Sequence, residues 1–148
     1  MGTIVEINET NIHKAAELSI ALWPDSNLTE MTAHYKEVLN SRFATCFLLQ
    51  NESDYFGFIE LSIRNDYVEG AGALPVAYIE GIFVNERYRH NGSGTLLLKY
   101  AEDWARTKGF KQICSDTELE NNPSIEFHKS AGFSEVSRIV CFVKELTD

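Results

Sequence analysis

No stretch of the 148-residue chain approaches the ~18 apolar residues that a membrane-spanning helix requires, so no membrane partner is expected. Cysteine is scarce and badly placed for cross-linking. Cys46, Cys114 and Cys141 are odd in number, far apart and contain no C-x-x-C pair, which argues against a disulfide framework and against a zinc site. Each sits in an apolar, strand-like context and reads as buried and inert. The four histidines (His13, His34, His90 and His128) share no metal-ligand spacing, so no metal is expected. Basic residues are also in deficit: 13 Lys and Arg against 22 Asp and Glu leave a net charge of −9. That balance disfavours nucleic acid as a partner, since phosphate binding wants a basic face, and it raises the local concentration of a cationic ligand. The opening residues MGTIVEINETN lack a basic stretch followed by an apolar run, so no secretory signal is read there. Internal repeats and low-complexity linkers are missing as well. The expectation is a single soluble, cytoplasmic domain spanning residues 1–148.

What is present alternates between two periodicities. Thr3 to Asn8 reads as a short strand. Ile12, Ala15, Ala16, Ser19 and Leu22 recur at helical spacing from Asn11 to Leu22, and Pro24 stops the run. A second helix is predicted from Leu28 to Ser41, with Thr29 as cap and Met31, Tyr35, Val38 and Leu39 on one face. Ala44–Gln50 and Tyr55–Arg64 form a hairpin of apolar strands across a polar turn. A Gly-rich excursion, 65–75, leads to the most hydrophobic strand, Val76–Val84, interrupted by Glu80-Gly81. A loop over 85–94 enters a long amphipathic helix, Ser93–Lys108, closed by Gly109. Gln112–Asp116 is read as a strand, Pro123–Ala131 as a short helix and Ser134–Leu146 as a final strand. Helices inserted among strands, with an early hairpin, indicate an α/β fold with a mixed sheet.

The segment from Tyr78 to Leu98 carries the sharpest chemistry. An apolar strand runs into a loop holding Gly92 and Gly94, and the loop runs directly into a helix. Glycines let backbone N–H groups approach an anion, and the helix N-terminus adds partial positive charge. Arg87, Arg89 and His90 stand ready to complement phosphate oxygens. No Lys-Ser or Lys-Thr follows the glycines, which excludes a P-loop, and Leu97 stands where a dinucleotide-binding fingerprint wants a third small residue. What remains, Arg89-x-x-Gly92-x-Gly94, resembles the acetyl-CoA signature R/Q-x-x-G-x-G/A of the GNAT superfamily of N-acetyltransferases. A second segment, from Asn121 through Pro123, Ser124, Phe127 and His128 to Gly132-Phe133, is similar to that superfamily's N-x-x-[A/S]-x-x-F-Y-x-x-x-G-F helix.

The resemblance implies a single-domain acyl-CoA N-acyltransferase fold, a mixed central sheet with helices on both faces, and acetyl-CoA as co-substrate. It implies that Arg89, His90, Asn91, Gly92, Ser93, Gly94 and Thr95 cradle the pyrophosphate. The strand Ile82-Phe83-Val84 would offer backbone N–H groups to the acetyl carbonyl and pantetheine, and Asn121 would bind the pantetheine arm or neighbouring backbone. The chain departs from the pattern at His128, where many relatives carry the Tyr assigned to protonating the leaving thiolate. An imidazole could do this, or could simply bond to or pack beside the coenzyme; the catalytic acid stays unassigned.

Glu80 is the first acceptor-side candidate, because a carboxylate inside so apolar a strand is costly to bury without a partner. It would hold a substrate ammonium and accept its proton, or else form an internal salt bridge with an Arg. Asp116 ends the next strand, where parallel strands present ligand contacts, and the two carboxylates would face one cleft as their strands diverge. Over almost its whole length the chain further resembles the aminoglycoside 6'-N-acetyltransferases, at Leu22-Trp23-Pro24, Ser62 to Val68, Glu80 to Val84, Ser115-Asp116-Thr117 and Gly132-Phe133. This implies acetylation of the 6'-amino group of a cationic aminoglycoside, an antibiotic-resistance activity. Trp23 and Tyr67 would line the sugar site, and Glu80 and Asp116 would hold ammonium or hydroxyl groups. A polyamine or other amine acceptor, and a non-catalytic acyl-CoA-binding domain, stay open as alternatives. Relatives are commonly homodimers, and the final strand could pair across subunits.

Overall fold

In the computed structural model, which describes every residue except Met1 and Ser53, the chain divides into two compact units, one through Ser115 and one from Asp116 onward. The first is built on a five-stranded sheet in the order β1-β2-β3-β4-β5. Its strands are β1 (Thr3–Glu6), β2 (Ala44–Gln50), β3 (Tyr55–Arg64), β4 (Val76–Val84) and β5 (Ile113–Cys114). All neighbours are antiparallel except β4 and β5, which run parallel, so the sheet is mixed as expected.

Helices α1 (Ile12–Leu22) and α2 (Leu28–Asn40) precede β2, and α3 (Ser93–Thr107) follows β4. Strand alternation separates the faces they cover. Cys46 and Leu48 share a core with Ile12, Ala15, Ala16, Tyr35 and Val38 of α1 and α2. Phe47, pointing the opposite way from the same strand, meets Tyr100 of α3 edge-on at 5.8 Å between ring centres. The sheet therefore carries helices on both faces.

Several expected boundaries shift. The first strand stops at Glu6, because Asn8 and Asn11 use their side-chain oxygens to bond backbone N–H groups and turn the chain into α1. The cap of α2 is Asn27 and not Thr29: extended at φ −132° and ψ 166°, Asn27 accepts from the Glu30 N–H at 2.9 Å. The strand expected over 112–116 is paired only at Ile113 and Cys114. Cys46 is buried, but Cys114 is half-buried and Cys141 is exposed.

The second unit holds α4 (Asn122–Ser130), with Pro123 in its first turn and Gly132 at φ +98° after its end. The strand expected over Ser134–Leu146 is not formed. Residues 133–148 pair with no strand among the described residues, and Val136, Ile139, Val140, Phe142, Val143 and Leu146 are exposed, Phe142 at 92%. Strand propensity is only half of a strand; the ladder needs a neighbour, which this segment lacks here.

One irregularity in the sheet positions everything that follows. Glu60 pairs with Gly81 while Leu61 pairs with Ile79, so Glu80 is an extra residue bulged out of β4. Trp23, at the end of α1, packs down onto Gly81: a Cβ there would lie 2.7 Å from Trp23 Cζ2 and 2.9 Å from Leu22 Cδ2. Two outcomes follow for thermal denaturation. Gly81→Ala displaces Trp23 and destabilises the fold by roughly 1–3 kcal/mol, an overpacking cost. Asn27→Ala removes a helix cap and costs about 1 kcal/mol, lowering Tm by roughly 2–4 °C.

Candidate active site at the bulge of the fourth strand

The residues of β3 alternate strictly in Ile59-Glu60-Leu61-Ser62-Ile63-Arg64, so Glu60, Ser62 and Arg64 rise on one face of an otherwise apolar strand. That is the face under α1 and α2, since Glu60 is the cross-strand partner of the core residue Cys46. The bulge turns the Glu80 side chain onto this polar row. Its Oε1 accepts from Arg64 Nη2 at 2.7 Å and its Oε2 from Arg64 Nε at 2.9 Å, a two-point pairing, while the Ser62 hydroxyl also donates to Oε2. Arg64 in turn lies over the Tyr78 ring, 3.5 Å from its centre.

Burial pushes the Glu80 carboxyl up, but hydrogen bonds from Arg64 and Ser62, and the Arg64 charge, outweigh it and leave the group below its ordinary value. Glu80 is therefore an anion at neutral pH. Of the readings open in the sequence, the salt bridge to an arginine is formed, and the carboxylate stays partly exposed beside it. This arrangement suits holding an ammonium far better than taking a proton from one.

Beyond the bulge, β4 opens an edge. Its pairing with β5 ends at Tyr78, opposite Cys114, yet β4 continues to Val84. Asn85 N–H donates to the Phe56 carbonyl of β3, so by alternation Phe83 also turns toward β3 while Ile82 and Val84 aim their N–H and C=O groups at the open edge. Arg89 confirms that direction by donating from Nε to the Val84 carbonyl at 2.6 Å. Hydrogen-bond donors on a strand that has lost its neighbour are what a thioester carbonyl and an amide-bearing arm would need.

The loop after β4 forms a short 3₁₀ turn, Glu86–Tyr88, capped by Asn85, before α3 begins. His90 (φ +64°) and Gly92 (φ +88°) both adopt the left-handed conformation. For histidine this is an uncommon strain, retained where the local shape is needed. The Asn91 side chain binds both the N–H and the hydroxyl of Ser93, burying Ser93 at the start of α3. Gly92 contributes no capping side chain. The N–H groups of Gly94 and Thr95 point out of the first turn with no partner among the described residues, in the arrangement that binds phosphate oxygens.

Trp23 is half-buried, tilted against Phe58 at 6.0 Å and seated on Gly81 beside Glu80. Tyr67 lies in the excursion between β3 and β4, 76% exposed, next to the buried anchor Val68. Asp116, Asn121 and His128 belong to the second unit. Asn121 caps α4, accepting from the Ser124 N–H at 3.2 Å. His128 Nδ1 donates to the Ser124 carbonyl at 2.7 Å, and the ring meets Phe133 edge-on. With Nδ1 committed as a donor, the neutral ring carries its lone pair on Nε2, and only the imidazolium presents a second N–H there.

Sequence reasoning misses Glu60 and His34. Glu60 is 5% exposed and its Oε2 lies 2.8 Å from Nε2 of His34 on α2. The signal is present in the chain: three polar residues at period two inside an apolar strand make a deliberate polar row, of which the helix face supplying His34 is the natural partner.

The model of the acetyltransferase (GNAT) family matches residues 12–133. The chain is 33% identical to an aminoglycoside N(6')-acetyltransferase type 1 of Serratia marcescens, covering 97% of this chain and 99% of that protein. It is 38% identical to one of Klebsiella aerogenes, covering 84% of each. Among solved structures it is similar to AAC(6')-Iy in complex with the bisubstrate analogue CoA-S-monomethyl-acetylneamine, with a TM-score of 0.92, 31% identity and 99% of each chain covered. It is also similar to the 6'-N-acetyltransferase AAC(6')-Ih of Acinetobacter baumannii, with a TM-score of 0.89, 30% identity and 99% of this chain and 100% of that one covered. The fold is thus shared with these enzymes over nearly the whole chain, and the chain belongs to the GNAT acetyltransferase family.

Proposed function

We propose that the protein transfers the acetyl group of acetyl-CoA to the 6'-amino group of aminoglycoside antibiotics. The observation that carries the reading is the bulge: it fixes an ionised, half-exposed carboxylate beside a strand edge whose N–H donors have no partner among the described residues. A cationic acceptor and a thioester carbonyl need those two features side by side. Relatives of nearly full-length correspondence bear that activity in their names, and one solved relative is named as a complex with CoA joined to an acetylated aminoglycoside fragment.

Acetyl-CoA supplies the activated acyl group, and the residues present fit it. The Gly94 and Thr95 N–H groups, with Arg89 and His90 beside them, suit the pyrophosphate; the outward N–H groups of Ile82 and Val84 suit the carbonyl and the arm. Glu80 holds an ammonium of the acceptor, and the flat face of Trp23 next to it covers the sugar. The exposed Tyr67 adds a second aromatic for the acceptor, and for Asp116 the resemblance to the aminoglycoside enzymes implies a second carboxylate. Asn121 caps α4, and for His128 the resemblance implies a place beside the coenzyme. The surplus of 22 acidic over 13 basic residues favours an oligocation over any anionic acceptor.

The family match runs across the boundary at Ser115, which supports one acetyltransferase domain over residues 1–148. The need for acetyl-CoA supports a cytoplasmic enzyme. No helix among the described residues is long and apolar enough to cross a membrane. The unpaired apolar stretch from Val136 to Leu146 supports a homodimer in which a second copy covers it.

Release of CoA thiol is expected with kanamycin or tobramycin at rates far above those with spermidine, and mass and NMR analysis should place the acetyl group on the 6'-nitrogen. Preference for spermidine would move the assignment to polyamines; tight CoA binding without transfer to any amine would leave a binding domain. Glu80→Gln and Asp116→Asn should each raise KM for the aminoglycoside about tenfold, equivalent to ~1.4 kcal/mol of lost acceptor binding, with acetyl-CoA affinity unchanged. His128→Ala should lower kcat only a few-fold if its role is positional, and by roughly 10²-fold or more if it is the acid.

A further inference from the structure

Amine acetylation requires a group that removes the acceptor's ammonium proton, and Glu80, occupied by Arg64 and Ser62, is a poor one. One other titratable group on the same face is arranged for the task. Glu60 pairs across the strands with Gly81, one residue from the bulged Glu80. Its Oε2 is bonded to His34 Nε2 at 2.8 Å, and its Oε1 is buried with no hydrogen-bond partner among the described residues. The carboxylate is almost fully buried, whereas the His34 side chain is 40% exposed. A buried carboxylate bonded to one imidazole nitrogen fixes the ring's tautomer and orientation and stabilises its protonated form. With Nε2–H donating to Glu60, the lone pair sits on Nδ1, which has no hydrogen bond among the described residues.

We infer that His34, oriented by Glu60, is the base that deprotonates the acceptor amine at the Glu80 site. The N–H bond of the substrate ammonium breaks and a bond from that proton to Nδ1 forms. The amine nitrogen keeps its electron pair for attack on the thioester, and the positive charge passes to an imidazolium paired with Glu60. The proton then leaves from Nδ1 to solvent. His34 would be the catalytic residue; Glu60, acting through it, is a positioning residue.

The electrostatics agree. Every charged group acting on the ring favours its protonated form: Glu60 from β3, Glu37 from its own helix and Glu80 from the bulge of β4. The hydrogen bond from Glu60 is the largest influence and outweighs the opposing effect of burial, so the imidazole lies above its ordinary value of 6.5. Glu80 and His34 bias one another, which places the ring within electrostatic reach of the proposed ammonium site. Cys46 and Tyr35, the other titratable neighbours of Glu60, are both pushed upward by burial and remain neutral. The sign of the pH effect follows. The base works when deprotonated, so kcat/KM should rise with pH through a value above 6.5.

This inference rests on the acetylation of aminoglycosides proposed above, and the test separates the two. Steady-state rates with acetyl-CoA and kanamycin are measured from pH 5.5 to 9 for wild type, His34→Gln, His34→Ala and Glu60→Gln, using one substrate so that its own titration is common to all. His34→Gln, which can still donate to Glu60, should lose about 10²-fold in kcat with acetyl-CoA binding unchanged. The acidic limb assigned to the ring should vanish, and added imidazole should partly restore His34→Ala. Glu60→Gln should retain the limb but move it to lower pH. NMR titration of the His34 ring in the wild-type protein, which does not depend on any variant folding, should give a value above 6.5. A His34→Gln enzyme with wild-type kcat and an unaltered pH profile would overturn the assignment while leaving aminoglycoside acetylation standing. So would a wild-type ring titrating below 6.5. Absence of wild-type turnover would remove both.

Discussion

The extra residue in β4 is the constraint on which the rest of the site depends. A regular strand would have pointed Glu80 to the face opposite its neighbours Ile79 and Gly81. With Glu80 bulged between Ile79 and Gly81, the carboxylate swings onto Ser62 and Arg64 of β3, and β4 departs from β5 after Tyr78. The insertion therefore aims a charge close to where β4, past Tyr78, has no paired strand on that edge among the described residues. The substitution-sensitive contact of Trp23 on Gly81 holds the bulge down from above. Neither an acidic side chain alone nor a split sheet alone would bring a cation to an acyl group.

The polar row on β3 interrupts an otherwise apolar strand, and Glu60 carries it into the buried face under the helices. Glu60, Ser62 and Arg64 take positions that alternation would otherwise give to apolar residues under two helices. Burying charges in this way rarely adds stability over a hydrophobic filling, even when they are paired. Glu60 is the extreme case, with one oxygen bound to His34 and the other buried and unbonded among the described residues. Orphaned buried oxygens are uncommon in stable folds because each forfeits solvation without compensation. Tyr35, whose buried hydroxyl is likewise unpartnered among the described residues, lies in the same core beside Glu60.

Much of this is legible in the order of the amino acids. Apolar periodicity locates α1, α2, β2, β3, β4 and α3 almost to the residue, because each buries one continuous face and the spacing of that face is written directly in the chain. The glycine pattern at Gly92 and Gly94 and the lone acid at Glu80 are legible too, since each violates its surroundings. What escapes is relational. Asn27 displaces Thr29 as a cap because backbone conformation, not residue type, decides which side chain reaches the third N–H. The stretch from Ser134 to Leu146 has strand composition but no paired strand among the described residues, and strand composition does not name a partner. Glu60 and His34 lie 26 positions apart and meet only because α2 packs over the sheet.

The two acids on this face show how environment, and not residue identity, assigns chemical work. Glu80 meets a guanidinium and a hydroxyl; its charge is stabilised, its basicity falls, and it is suited to hold a cation through the reaction. Glu60 meets an imidazole; its charge raises the basicity of that ring, which alone reaches outward. Exchange the partners and the roles would exchange with them. Such a division also avoids a conflict that one carboxylate could not resolve: a group that binds the ammonium tightly stabilises the protonated amine, which cannot attack. Separating the anchor from the proton acceptor lets the first secure the polycation as a whole while the second discharges the one nitrogen that must react.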